Sequence, residues 1–178
     1  MAKEFFRDVF AVMLVLLLIV AVCMTGLNWF TPPVTMFQLT DPSDSETVSQ
    51  TVSLDHVDRD FLAAVLLHED AQLGHRTGPF DIGQFLERVR IHRSGGDDPS
   101  GSTIPQQIVK NLVFTRDQNA FRKGIEAVLS FPFNAVLSDR RQLELYVNLA
   151  QFAPDLYGVC SASWYYFNTP PWDIDGAH

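Results

Sequence analysis

Cysteine is nearly absent: Cys23 and Cys160 are the only two in 178 residues. Cys23 lies inside a long apolar run, so a disulfide between them is not expected and the redox compartment cannot be read from them. No CxxC pair and no His/Cys cluster offers a structural zinc site. Positive charge is also scarce, with 13 Lys and Arg against 21 Asp and Glu for a net charge of -8. That balance excludes nucleic acid as a general partner, because duplex binding calls for a basic surface. Alternating strand patterns and internal repeats are missing as well, so an all-α class is expected.

The scarce positive charge is unevenly placed. Between Arg76 and Lys123 there are eight Lys and Arg against five Asp and Glu, a local excess of about +3 in an acidic chain. Such a zone suits an anionic group on a small substrate. It is equally a pattern found on solvated mixed-charge surfaces.

Val9 to Leu27 is almost uninterrupted apolar sequence, close to the ~20 residues a helix needs to cross a bilayer. Trp29 and Phe30 follow where interfacial aromatics belong. Lys3 and Arg7 precede the run, and no Lys or Arg then appears until Arg59. The positive-inside rule places residues 1–8 in the cytoplasm, residues 9–30 as an anchor and the remainder outside. A cleaved signal peptide fits less well, since its apolar core is normally only ~7–15 residues. Residues 31–52, rich in Thr, Pro, Ser and Asp, read as a linker.

A helical domain is expected over residues 53–178. Val57, Phe61, Leu62, Val65 and Leu66 fall at helical spacing and deliver Glu69 and Asp70 to the end of a helix. Gly74 and Thr77-Gly78-Pro79 break it, a second helix is expected over Phe80–Ile91, and His92–Gly101 reads as a loop. Thr103-Ile-Pro-Gln106 is a helix start, with Thr103 as cap, Gln106 as capping-box partner and Pro105 in the first turn. Asn119 caps the next helix, whose apolar stripe of Phe121, Ile125, Val128 and Leu129 leaves Glu126 beside it until Pro132 interrupts or kinks the helix. Ser138 caps a helix with Leu143, Tyr146 and Val147 inward.

Four motifs stand in order along this domain: Glu69-Asp70 with Gly78; Gly101-Ser-Thr-Ile104 with Gln106-Gln107 and Lys110-Asn111; Arg122-Lys123 with Glu126; and Leu143-Glu-Leu-Tyr-Val-Asn148. In that order they resemble the peptidoglycan glycosyltransferases, both the monofunctional enzymes and the domain of bifunctional penicillin-binding proteins. The similarity covers about 110 residues, consistent with one domain. Singly, each motif is weak: an acidic pair at a helix end is usually solvated, and Ser-Thr-x-x-Gln is usually a capping box.

The resemblance implies a lysozyme-like helical domain behind a single transmembrane helix, on the periplasmic side of a bacterial inner membrane. It implies polymerisation of lipid II into glycan strands with inversion and release of the lipid pyrophosphate. By carry-over, Glu69 is the general base and Glu126 the second catalytic acid, positioning a cation or ligating a divalent metal such as Mg or Mn. Asp70, Ser102, Thr103, Gln106, Gln107, Lys110, Asn111, Arg122 and Lys123 fall on the substrate-binding positions. Implied partners are lipid II, the growing strand, the membrane, and cell-wall synthesis or division proteins. Departures are also visible. Leu73 replaces an aromatic, and Arg76 stands where a histidine aligns, with His75 one residue early. Ser100, Pro105 and Gln118 depart from the family pattern, and the domain is expected to be short after Tyr166-Phe167. Two other readings therefore stand beside polymerisation: a catalytically weak lipid II-binding scaffold, and a lytic muramidase-like enzyme.

Overall fold

A computed structural model describes residues 2–43, 45–80, 83, 90, 101–117 and 120–174. The helix expected over Phe80–Ile91, the loop over His92–Gly101, the Asn119 cap and the departures at Ser100 and Gln118 lie largely outside these residues. What is described is mostly helical, as expected. Helix α1 spans Ala2–Gly26, α2 Met36–Leu39, α3 Arg59–Glu69, α4 Ile104–Val113, α5 Ala120–Val136, α6 Asp139–Leu149 and α7 Val159–Phe167. Three very short strands, β1 Val48–Ser49, β2 Gln151–Ala153 and β3 Leu156–Tyr157, form a sheet in the order β1-β3-β2. β1 runs parallel to β3 and β2 antiparallel to it. Strands of two or three residues are too short to leave an alternating pattern, which is why the sequence did not show them.

Helix α4 is the centre of the core. Ile104, Ile108 and Val109 have no exposed surface, and Leu145, Val147, Leu149 and Val159 close around them. Each such side chain contributes about 1.5–3 kcal/mol of burial. Asp58 starts α3 by accepting from the backbone N–H groups of Asp60 and Phe61, both at 2.9 Å. Ser138 caps α6 through the Arg141 N–H at 3.3 Å. Leu143, Tyr146 and Val147 point inward as expected. Asn148 accepts from the Val52 N–H and donates to the Val52 carbonyl, each at 2.8 Å, and so ties α6 to the segment before α3.

The segment read as a linker, 31–52, is structured and packs on the domain. Thr35 and Gln38 form a reciprocal capping box around α2, and α2 lies against α4. Asp41 accepts from Arg116 Nη2 at 2.6 Å and from the Tyr157 hydroxyl at 2.5 Å. Burial works to raise the Asp41 carboxyl, but the Tyr157 hydroxyl, the Ser43 N–H and the Arg116 charge outweigh it and hold the carboxyl below its usual range. The same hydroxyl is pushed well above its ordinary value by burial and by Asp41. The polar composition that suggested a linker is thus satisfied by distant partners.

A second difference concerns α5. Of its stripe, Phe121, Ile125 and Val128 face outward, with Phe121 79% and Val128 67% exposed, while Leu129 packs against the core and Glu126 is fully buried. An amphipathic helix has two unlike faces, and here the face carrying Glu126, Ser130 and Phe133 is the inner one. The charge on that face is matched by neighbouring cations, described below. Pro132 lies within α5 without ending it.

Helix α1 is long and apolar enough to cross a membrane. It starts earlier than Val9 and projects with its side chains exposed, except at its base, where Met24 and Leu27 join the domain core. Arg141 donates to the Leu27 carbonyl at 2.6 Å and to Thr31 Oγ1 at 2.9 Å, and Asn28 Nδ2 donates to the Val136 carbonyl at 3.3 Å. Trp29 stays 80% exposed at this junction.

One glycine fixes the hairpin end. Gly158 has φ +80°, and a Cβ there would stand 2.9 Å from the Asn148 carbonyl oxygen and 3.2 Å from that of Gln50. Both obstacles are backbone, so Gly158→Ala is expected to cost about 2–3 kcal/mol. A thermal unfolding midpoint lowered by several degrees would show it; an unchanged midpoint would contradict the crowding described here.

Candidate active site

The site is assembled where the end of α3 meets the start of α4 and one face of α5. Asp70 terminates α3 and is buried. Its carboxylate forms a two-pronged ion pair with Arg76, and Oδ2 also accepts the Ile104 N–H at 2.9 Å. Arg76 Nε donates to the Gly78 carbonyl at 3.0 Å. Arg76 therefore stitches the first motif together, while His75 is exposed. The Thr103 hydroxyl donates to the Pro79 carbonyl at 2.6 Å, and Gln106 Oε1 accepts the Thr103 N–H at 3.0 Å. Asn111 Nδ2 donates to the Leu149 carbonyl at 3.2 Å. Asp70, Thr103, Gln106 and Asn111 are all buried and spend their polar groups inside the fold.

The remaining candidates run from the exposed Glu69 to the buried Glu126. Glu69 is exposed and accepts from Gln107 Nε2 at 2.7 Å; the same amide also reaches the Ser102 carbonyl at 3.2 Å. Tyr146 was expected in the core, and it is buried, yet its hydroxyl bonds to Glu69. Burial first, and then the Glu69 charge and that hydrogen bond, push the phenol far above its ordinary value. It stays a neutral donor, so the Glu69 carboxylate is oriented by an amide and a phenol, neither of which carries charge.

Opposite lies a cationic group organised by Glu126. Lys123 Nζ is 2.5 Å from Glu126 Oε1 and 2.6 Å from Ser102 Oγ. Arg122 Nη2 lies 3.7 Å from Glu126 Oε2, while Nη1 donates to the Thr115 carbonyl at 2.6 Å. Lys110 is half-buried in the field of Glu126, Lys123, Arg122 and Glu69. Burial, chiefly, with the two like charges, lowers the pKa of its ammonium, and the two carboxylates partly offset this. Three cations therefore gather near one buried acid and one exposed one.

A divalent cation takes several oxygen donors. The Glu126 carboxylate is enclosed, with Oε1 on Lys123 and the buried Oε2 3.7 Å from Arg122 Nη2 and without a hydrogen-bond partner among the described residues. Among the described residues no three His, Cys, Asp or Glu side chains come together. Glu126 stands as the counter-charge of the lysine and arginine beside it.

The family model described as Transglycosylase matches residues 36–177. The chain belongs to the transglycosylase family. The match begins at α2, in keeping with the packing of that segment on the domain. Biosynthetic peptidoglycan transglycosylases are among its relatives. That of Shewanella frigidimarina is 36% identical over 137 residues, covering 77% of this chain and 59% of the relative. That of Rhizobium johnstonii is 33% identical over 165 residues, covering 92% and 67%. That of Acinetobacter baylyi is 38% identical over 148 residues, covering 79% and 65%. This transglycosylase chain thus spans about three-fifths to two-thirds of the length of those relatives.

Proposed function

We propose that the chain polymerises lipid II into glycan strands from the outer face of the cytoplasmic membrane, as a peptidoglycan glycosyltransferase. The observation that carries this reading is the pairing of an exposed carboxylate, Glu69, with the cationic group of Lys110, Lys123 and Arg122. A glycosyl pyrophosphate already has a good leaving group, so its departure needs positive charge more than a protonating acid. The acceptor sugar hydroxyl then gives its proton to the Glu69 carboxylate while its oxygen forms the new bond to the anomeric carbon. The bond from that carbon to the pyrophosphate oxygen breaks on the opposite face, and its electron pair leaves with the pyrophosphate. Inversion follows from the single displacement. Gln107 and Tyr146 hold the base in place, and Glu126 keeps the cations together without leaving a bare negative charge towards the donor phosphates.

Membrane placement supports the same reading. α1 suits a single crossing with Lys3 and Arg7 on the cytoplasmic side. The outward apolar stripe of α5 belongs to a helix whose far end meets the base of α1, so a lipid surface suits it better than water does.

Lipid II incubated with the full chain in detergent micelles is expected to yield glycan polymer together with free lipid pyrophosphate. Binding of lipid II with no polymer would instead favour a scaffold. Release of soluble fragments from purified cell wall would replace synthesis by cleavage.

A further inference from the structure

We propose that Phe37 is a positioning residue for the Lys110 ammonium, with the Asp41–Arg116 pair holding the aromatic ring in place. This rests on the reading of Lys110 as a cation that meets the donor pyrophosphate. Lys110 Nζ lies 5.4 Å from the centroid of the Phe37 ring, and the Arg116 guanidinium carbon lies 4.3 Å from the same centroid. Both are inside the ~6 Å range in which a ring face attracts a cation. Arg116 is neutralised by Asp41 at 2.6 Å, so the ring does not join two uncompensated charges. The capping box of Thr35 and Gln38 fixes the backbone on either side of Phe37, and Gln38 Nε2 reaches Ser49 Oγ at 3.3 Å.

A ring is a useful support at this place. The groups facing Lys110 are Glu126, Lys123 and Arg122 on α5 and Glu69 at the end of α3, with Arg116 sharing the ring. No carboxylate among the described residues pairs directly with the Lys110 ammonium. A carboxylate in contact would occupy its N–H donors and cancel its charge. An aromatic face favours the charged form and still leaves those donors free for phosphate oxygens. The segment between the anchor and the domain thereby contributes directly to the arrangement of the donor side of the site.

The test is the pH dependence of Lys110 acylation in the full chain in detergent micelles, read by peptide mass spectrometry after trace labelling with acetic anhydride. Loss of the ring removes support for the ammonium, so the lysine deprotonates at lower pH. In Phe37→Leu the labelling midpoint is expected to fall by about half a pH unit, and in Phe37→Tyr to return to the original value. If Phe37→Leu does not fold, Phe37→Met serves in its place, having similar bulk and no aromatic face. A midpoint unmoved in the folded variant would overturn the proposal, as would a shift that Phe37→Tyr fails to reverse. The alkaline limb of kcat/KM for lipid II should move by the same offset, and should not move when Phe37→Leu is combined with Lys110→Arg. A shifted labelling midpoint in a chain that makes no polymer would sustain the contact with Lys110 and reject the polymerase reading.

Discussion

Glu69→Gln is expected to reduce glycan polymerisation by about 10²–10⁴-fold, the range typical for loss of a general base, with the unfolding midpoint unchanged. The two halves of this expectation come from one fact: Glu69 is exposed, and its described partners are the Gln107 amide and the Tyr146 hydroxyl. A glutamine can still accept from both, so the local arrangement survives while the proton acceptor is lost. Lipid II binding should be nearly retained, because the anion-holding cations lie on the other side of the site. The measurements are initial polymerisation rates and a thermal melt on the same protein batch. Retention of full activity would exclude Glu69 as the base.

Asp70→Ala should produce the opposite pattern, a large loss of stability, although its neighbour in sequence is the proposed base. The Asp70 side chain is 2% exposed and its partner Arg76 is 9% exposed, and breaking a buried pair from one side costs about 3–5 kcal/mol. The Ile104 N–H, one of the orphan donors of the α4 N-terminus, loses its acceptor as well. Since the same carboxylate joins the end of α3 to the start of α4, activity should fall together with stability. Adding Arg76→Met removes the stranded charge, so the double variant should regain part of the lost unfolding free energy. If Asp70→Ala melts like the parent, the carboxylate is not the fastener described here.

Helical periodicity was enough to place Glu69 and Asp70 at the end of α3 and to start α4 at Thr103. It could not divide the candidate residues by task. Asp70, Thr103 and Asn111 are polar residues in a suggestive motif, but each is held by a backbone group far along the chain, at Ile104, Pro79 and Leu149, whereas Gln106 closes the capping box that was legible locally. The stripe on α5 was visible as a stripe, yet periodicity says only that two faces differ. Which one turns inward was decided by Glu126 and its cations. Phe37 and Asp41 were hidden most completely. Asp41 pairs with residues 75 and 116 positions further on, and separations of that size leave no trace in local composition.

The Arg141 clamp on the last turn of α1 has a mechanical consequence. With Met24 and Leu27 seated in the core and the Leu27 carbonyl held by a guanidinium, the chain has no free swivel between its anchor and its domain. Tilting or rotating α1 must turn the whole domain with it, as a key turns with its bow. The mouth of the site therefore keeps a constant bearing and distance relative to α1 itself. Wherever that helix is seated, its axis alone sets the direction from which the site can be approached.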